Sequence, residues 1–422
     1  MNIHMYGAGQ EVGRSCIELA WGSKRILLDA GIKLDRQGNE YPLPIRDAQD
    51  IDMVFLSHAH LDHCGALPYI VHQGVQSPIF TNALTKELTI TMLKDSWKVD
   101  RLRERTSLFP KTALSKAIQH IQPVKKGKYK GVQYEFIASG HIPGSSSILL
   151  KYNGTSVLYT GDITKTPTKL VKEHQRLPKA DVLIIEATYG DKQHPQRGDV
   201  QQEFKRIITE TLQKGGSVMV AVFAIGRSQE MLLLLDEMNL QVPIYLDGMS
   251  KTITQTLLKY PYHLKDKSLH AVYKKVHLVS NHKVRQKAIK QQGVFVTTSG
   301  MLDGGPIMEY LKQLGSNPAH TILLTGYQAD DSNGRMLIEQ GKVVIDGVQH
   351  TIKAQLHHLN FSGHASQQDL HAIIDSVQPK VVITNHGEPT STKELATYAQ
   401  QQKMIAYAPK TGQTITINEV DR

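Results

Sequence analysis

Four side chains able to ligate a metal stand within six residues, His58, His60, Asp62 and His63, directly after the apolar run Met53-Val54-Phe55-Leu56. No other feature restricts the fold as much, because the cluster works only if a strand delivers it to the end of a sheet. Alternate residues of an extended chain share a face, so His58 and His60 turn to one side. Asp62 and His63 then point to a second position nearby. Imidazole and carboxylate together suit zinc, and two such ions roughly 3.5–4 Å apart can activate a water and clamp a phosphoryl group. The spacing predicts a two-metal hydrolase, whereas a polar loop with incidental histidines would rarely cluster this densely.

Thiolates are not available to complete such a site. Only Cys16 and Cys64 occur, which excludes a disulfide framework and suits a reducing interior. Further ligands must be histidines and carboxylates. Asp162, ending Tyr159-Thr160-Gly161-Asp162, can bridge two cations through its two oxygens, and His141 lies in the glycine-flanked Ser139-Gly140-His141-Ile142-Pro143-Gly144, where backbone can approach closely. Asp29, in Leu28-Asp29-Ala30-Gly31, is placed to orient a ligating imidazole from behind. Taken singly, a His or Asp after a strand is more often a turn residue; beside the cluster they form a set.

At 422 residues the chain exceeds one ordinary core and predicts at least two domains. Short strands are expected at 26–29, 53–56, 147–150, 156–159 and 182–185, with a helix around 83–105. From about 200 to 330 the rhythm becomes strand then helix (218–222 then 228–238, 244–246 then 250–259, 294–296 then 306–314), which argues a parallel sheet flanked by helices. The tail returns to a strand at 381–384 and a helix at 391–401. Candidate ligands stop near 191 and resume at 364, so one domain is expected to be inserted in another: 1–194 and 351–422 form the first, 195–350 the second. The N-terminus lacks a basic region followed by an apolar stretch, and no apolar run reaches the roughly 18 residues of a membrane span. A cytoplasmic protein with no membrane partner is expected.

The net charge of +10 is unevenly spread. Residues 94–130 carry eleven Lys/Arg against Asp95, Asp100 and Glu104, and residues 259–291 carry nine against Asp266, a net of +8 in each. Two basic segments on an otherwise acidic chain read as a polyanion footprint; a solvated lysine-rich face is the plain alternative.

These motifs resemble the metallo-β-lactamase fold and, within it, the β-CASP branch of nucleases, over essentially the whole length. Asp29, the run His58-Ala59-His60-Leu61-Asp62-His63, His141 and Asp162 match the successive metal motifs in order. Three additions of the branch are also matched: Glu186 in Glu186-Ala187-Thr188-Tyr189-Gly190, His364 in Ser362-Gly363-His364-Ala365-Ser366, and His386 in Asn385-His386-Gly387-Glu388. The resemblance implies an αββα sandwich with an inserted α/β domain. It also implies two Zn2+, one held by His58, His60, His141 and Asp162, the other by Asp62, His63, Asp162 and His386. Asp62, Glu186 and His364 take catalytic roles in it, the last two as a hydrogen-bonded acid beside the leaving oxygen.

Members acting on DNA tend to carry valine where His386 stands, so single-stranded RNA is the implied partner. Phe223-Ala224-Ile225-Gly226-Arg227-Ser228-Gln229-Glu230, Thr298-Ser299-Gly300-Met301-Leu302-Asp303-Gly304-Gly305-Pro306 and Gly326-Tyr327-Gln328-Ala329 are similar to the endonuclease subunit of the cleavage and polyadenylation specificity factor and its archaeal and bacterial relatives. The KH domains of some archaeal relatives are not seen, as in a short form, and a homodimer is an expected assembly. The Ser362–Ser366 stretch is closer to RNase J, which seats a 5′ phosphate there, so a 5′-to-3′ exonuclease mode stays open. Arg227 and Ser299 precede expected helices, whose N-termini attract phosphate; with Arg335, Ser362 and Ser366 they are the expected RNA contacts. Three rivals remain: a small-molecule hydrolase, which needs neither the insertion nor Glu186 and His364; a DNA nuclease, against which His386 speaks; and a non-catalytic RNA-binding paralogue, against which the intact ligand set speaks.

Overall fold

Along a strand, successive side chains point to opposite faces, and this alternation builds the first unit. In the strand Val182–Glu186 every residue is buried, yet Val182 and Ile184 join one core while Leu183 and Ile185 join another. The strand Met53–Phe55 divides likewise, with Met53 and Phe55 facing one core and Val54 the other. Such strands lie in sheets covered on both faces. The computed structural model describes residues 1–34, 38–103 and 107–418, in two units.

The first unit comprises 1–167, 173–193 and 363–422. Among the described residues it holds two seven-stranded sheets. One runs in the order Thr414–Thr416, Asn2–Met5, Ile17–Trp21, Lys24–Leu28, Met53–Phe55, Ile79–Thr81, Ile121–Pro123; the other Ile405–Tyr407, Val381–Asn385, Val182–Glu186, Thr155–Tyr159, Ser146–Tyr152, Val132–Ala138, Lys126–Tyr129. Their facing sides share a core with Trp21, Phe55, Phe80, Phe136 and Tyr159. Helix Leu67–Gln73 and helix Lys111–His120 cover the outer face of the first sheet, and helices Gln367–Val377 and Pro389–Gln401 that of the second. The layering is the expected αββα sandwich.

The second unit, 168–172 and 194–362, carries a six-stranded sheet in the order His277–Leu278, Ile244–Asp247, Val294–Thr297, Val218–Ala221, Thr321–Leu324, Gln355–His358. All its pairings are parallel, as the strand-helix rhythm predicts. By its contacts this unit runs to 362, with Gln355–His358 paired to Thr321–Leu324 as an edge strand. Its sequence, Gln355-Leu356-His357-His358, has no apolar alternation to betray it. Among the described residues no helix is long and apolar enough to cross a membrane.

Candidate metal centre

Parallel pairing gathers the chemistry of the first unit at one set of strand ends. Lys24–Leu28 and Met53–Phe55 are parallel neighbours, so Asp29 and the His58 loop emerge side by side. In the facing sheet Thr155–Tyr159, Val182–Glu186 and Val381–Asn385 are parallel neighbours, so Asp162, Glu186 and His386 emerge together as well. The short helix Leu61–Cys64 then carries Asp62 and His63. It lies so close to the Asp29 loop that a Cβ on Gly31 would fall 1.7 Å from the Asp62 carbonyl oxygen, and only glycine is tolerated there.

Asp162 faces two groups of side chains. Its Oδ2 lies 3.5 Å from His58 Nε2 and 3.4 Å from His141 Nε2, and its Oδ1 3.2 Å from His63 Nε2 and 3.5 Å from His386 Nδ1. His60 Nδ1 is 3.1 Å from His141 Nε2, and Asp62 Oδ2 is 3.3 Å from His386 Nε2. Among the described residues three groups could hold a cation: His58, His60, His141 and Asp162; Asp62, His63, Asp162 and His386; and Asp162 with Glu186 and His364, of which the first two coincide with the sets the resemblance implies.

Hydrogen bonds from behind fix which nitrogen of three imidazoles is bare. Asp29, fully buried, accepts from Ser57 N–H (2.7 Å), the Ser57 hydroxyl (2.7 Å), His63 Nδ1 (2.7 Å) and the Tyr159 hydroxyl (2.7 Å). A carboxylate only accepts, so the Ser57 proton is spent on Asp29 and the Ser57 oxygen must accept from His58 Nδ1, 3.0 Å away. His141 Nδ1 donates to the Gly363 carbonyl at 2.9 Å. In their neutral forms His58, His63 and His141 therefore each turn an unprotonated Nε2 into the site. His58 Nε2, His60 Nε2, His63 Nε2 and Asp162 Oδ1 are buried without a hydrogen-bond partner. Orphaned polar atoms of this kind call for an explanation, and bound metal would supply one.

For His58 and His141 the electrostatics point the same way; for His63 they do not. Burial, with neighbouring imidazoles, pushes His58 and His141 well below the ordinary histidine value and so favours the neutral form. Burial also acts on His63, but the carboxylates of Asp162, Asp62 and Asp29 outweigh it and raise the group well above its ordinary value. Burial would raise Asp162; the surrounding histidines, His63 first, instead hold it well below the carboxylate range.

Glu186 and His364 form a separate pair at the edge of the site. His364 Nδ1 lies 2.9 and 3.1 Å from the two Glu186 oxygens, and Glu186 Oε1 also accepts from Ile163 N–H at 2.8 Å. Burial lowers the His364 affinity for a proton, but Glu186 and Asp162 overcome it and raise the group to about 9.

The expected RNA contacts are placed differently. The Arg227 guanidinium pairs with buried Glu230 and lies 5.7 Å over the Phe361 ring. Arg335 lies 3.2 Å from Asp330, and the Ser299 hydroxyl is buried without a hydrogen-bond partner. All belong to the inserted unit, which Ser362 ends, its carbonyl accepting from Arg197 at 2.9 Å. Ser366 caps helix Gln367–Val377, its hydroxyl exchanging hydrogen bonds with Asp369. In the first basic segment Lys94, Lys98, Arg101, Arg103, Lys111 and Lys116 are exposed, while Arg105 and Glu104 lie outside the described residues. In the second, Arg285 is bound to Asp247 at 2.7 Å. Sequence reasoning passed over Ser57 and Tyr159; the only signal for Ser57 is its place directly before His58.

Three family models match the chain: a beta-lactamase superfamily domain over residues 24–222, a Beta-Casp domain over 228–337, and a Zn-dependent metallo-hydrolase RNA specificity domain over 349–409. The chain is 42% identical to the Probable RNase MJ4 of Methanocaldococcus jannaschii, covering 99% of this chain and 100% of that one. It is 35% identical to RNase aCSPSF2 of Saccharolobus solfataricus, covering 98% and 85% respectively. A crystal structure of a protein of unknown function from Enterococcus faecalis V583 superposes with a TM-score of 0.62 at 14% identity over 99% of both chains, which shows the shared fold alone.

Proposed function

Because this chain belongs to the β-CASP branch of the metallo-β-lactamase family, we propose that it is a two-zinc ribonuclease that cuts single-stranded RNA internally, leaving a 5′ phosphate and a 3′ hydroxyl. Metal-dependent ribonuclease activity follows from the chain's kinship with named RNases and its metallo-hydrolase RNA specificity domain; the number and identity of the ions, the mode of cutting and the products are the further reading. One observation carries it: the two oxygens of Asp162 face two separate sets of histidines, the arrangement a bridging carboxylate requires.

Two divalent cations, when bound, would supply an activated water and offset charge gathering on the phosphoryl oxygens. The chain's own residues do the rest. Asp29 locks His63, Ser57 locks His58 and the Gly363 carbonyl locks His141, so the ligating atoms are set before substrate arrives. His364, its Nδ1 proton held by Glu186, would act through its other nitrogen as a proton donor to the departing 3′ oxygen. No step uses the RNA 2′-hydroxyl. The commitment of the Ser366 hydroxyl to its helix cap removes one group that a 5′-phosphate seat would use, which favours internal cutting over the 5′-to-3′ exonuclease mode. The buried thiols Cys16 and Cys64 suit a cytoplasmic setting.

The test is cleavage by zinc-loaded protein of end-labelled RNA carrying a 5′ hydroxyl, monophosphate or triphosphate. Internal fragments from all three are expected. Mononucleotides from the monophosphate alone would overturn the endonuclease reading, and no cleavage of any RNA would overturn the assignment of activity.

A further inference from the structure

Three of the site's imidazoles have their outer nitrogen fixed by Asp29, Ser57 or the Gly363 carbonyl; His386 has none of these. Its neighbour is Thr188, two residues past Glu186. The strands Val182–Glu186 and Val381–Asn385 pair in register, Glu186 opposite Asn385, so the loops that follow leave the sheet together. Gly387 brings them into contact, since a Cβ there would lie 2.3 Å from the Ala187 carbonyl oxygen. The Thr188 hydroxyl consequently sits 3.1 Å from the His386 carbonyl oxygen, 3.3 Å from His386 Nδ1 and 3.3 Å from His364 Nδ1.

Proton accounting decides the roles. Thr188 has one hydroxyl proton, and a carbonyl can only accept, so that proton goes to the His386 carbonyl. His364 Nδ1 carries a proton, because its principal partner is the Glu186 carboxylate. The Thr188 oxygen is thus left as an acceptor facing His386 Nδ1 at 3.3 Å, with Asp162 Oδ1 as a second, more distant acceptor for the same proton at 3.5 Å. An imidazole with its proton on Nδ1 has its lone pair on Nε2, and His386 Nε2 faces Asp62 Oδ2 at 3.3 Å. The backbone needs the same help. His386 has φ 51°, a left-handed conformation uncommon outside glycine, held by donation of its N–H to the Ala8 carbonyl at 2.8 Å and by the Thr188 hydroxyl on its own carbonyl.

We propose that Thr188 is a positioning residue that selects the metal-binding tautomer of His386, and so sets the zinc affinity of the position shared by Asp62, His63, Asp162 and His386. The inference rests on the two-cation reading. Its test is titration of the metal-free full chain with zinc alone, followed by calorimetry, together with NMR of the His386 imidazole N–H in the zinc-loaded protein. Partners that orient a ligating histidine typically account for about 10–100-fold in metal affinity. Thr188→Val, which removes the hydroxyl and keeps the shape, is expected to weaken one of two zinc positions by that factor and to lose the protected Nδ1–H signal. Thr188→Ser, which keeps the hydroxyl, is expected to bind as the parent does, and remains informative if the valine variant fails to fold. Unchanged affinity in Thr188→Val, equal weakening at both positions, or a Thr188→Ser variant as weak as valine would each overturn the assignment while leaving the two-zinc reading standing. A parent chain binding fewer than two zinc ions would overturn both.

Discussion

Replacing Asp29 with asparagine tests whether the metal site is held from behind, and its cost can be worked from the contacts. Every group around this fully buried carboxylate is a donor: Ser57 N–H on Oδ1, and the Ser57 hydroxyl, His63 Nδ1–H and the Tyr159 hydroxyl on Oδ2. Asparagine offers one accepting oxygen and one NH2. With the oxygen in the place of Oδ2 three bonds survive uncharged, and the NH2 abuts Ser57 N–H across what was a 2.7 Å bond; the flipped amide sets three donors against the NH2 and is worse. The unsatisfied donor costs about 1–3 kcal/mol, and each surviving bond loses roughly 1 kcal/mol on passing from a charged to a neutral acceptor. The sum is about 4–6 kcal/mol before local relaxation, comparable to the whole stability of many domains. Both tryptophans report on this unit, Trp21 from the core between the sheets and Trp97 from the core outside the first. Urea unfolding followed by their fluorescence should show a lower midpoint for Asp29→Asn, and zinc titration should show affinity reduced by about 10–100-fold. A variant that unfolds at the parent's urea concentration and binds zinc as tightly would refute the role given to Asp29.

Asp162→Ala removes the carboxylate common to both sets, so cleavage should be lost and both zinc positions weakened, with the circular dichroism spectrum unchanged; two tightly bound ions in that variant would exclude a bridging role. His364→Ala should slow cleavage about 10²–10⁴-fold, the usual reach of general acid catalysis, while keeping its zinc, and loss of stoichiometric metal would make His364 a ligand instead. RNA affinity should fall by roughly 0.7 log units per log unit of salt for each phosphate neutralised; glutamine at Arg101, Arg103 and Arg105 together should flatten the slope by up to about 2, and an unchanged slope returns residues 94–130 to a solvated face. Mass spectrometry should find 5′-phosphate and 3′-hydroxyl ends, also when the cut-site nucleotide is 2′-deoxy; a 2′,3′-cyclic phosphate would rule out the proposed nucleophile.

What could be read from the sequence, and what could not, divides along a physical line. Strands buried on both faces were legible because every position is apolar, as in Val182-Leu183-Ile184-Ile185, and so was the parallel insertion, through its strand-helix rhythm. Edge strands such as Gln355–His358 and Lys126–Tyr129 were not, since only one side of an edge strand is paired and its side chains are exposed or half-exposed. Within the site, His58, His60, Asp62 and His63 announce themselves because one turn of chain delivers all four. Asp162 and Asp29 could be suspected from the strands before them. Ser57, Tyr159 and Thr188 carry no such mark: a serine before a histidine, a tyrosine in a strand and a threonine after one are common. Their roles come from what pairing brings opposite them, Tyr159 to Asp29 across 130 residues and Thr188 to His386 across 198. Candidate ligands can therefore be read from local chain, whereas the atom each ligand presents is decided by non-local register. A sequence with every ligand in place but a broken partner such as Asp29 would still look competent, and its zinc affinity would show that it is not.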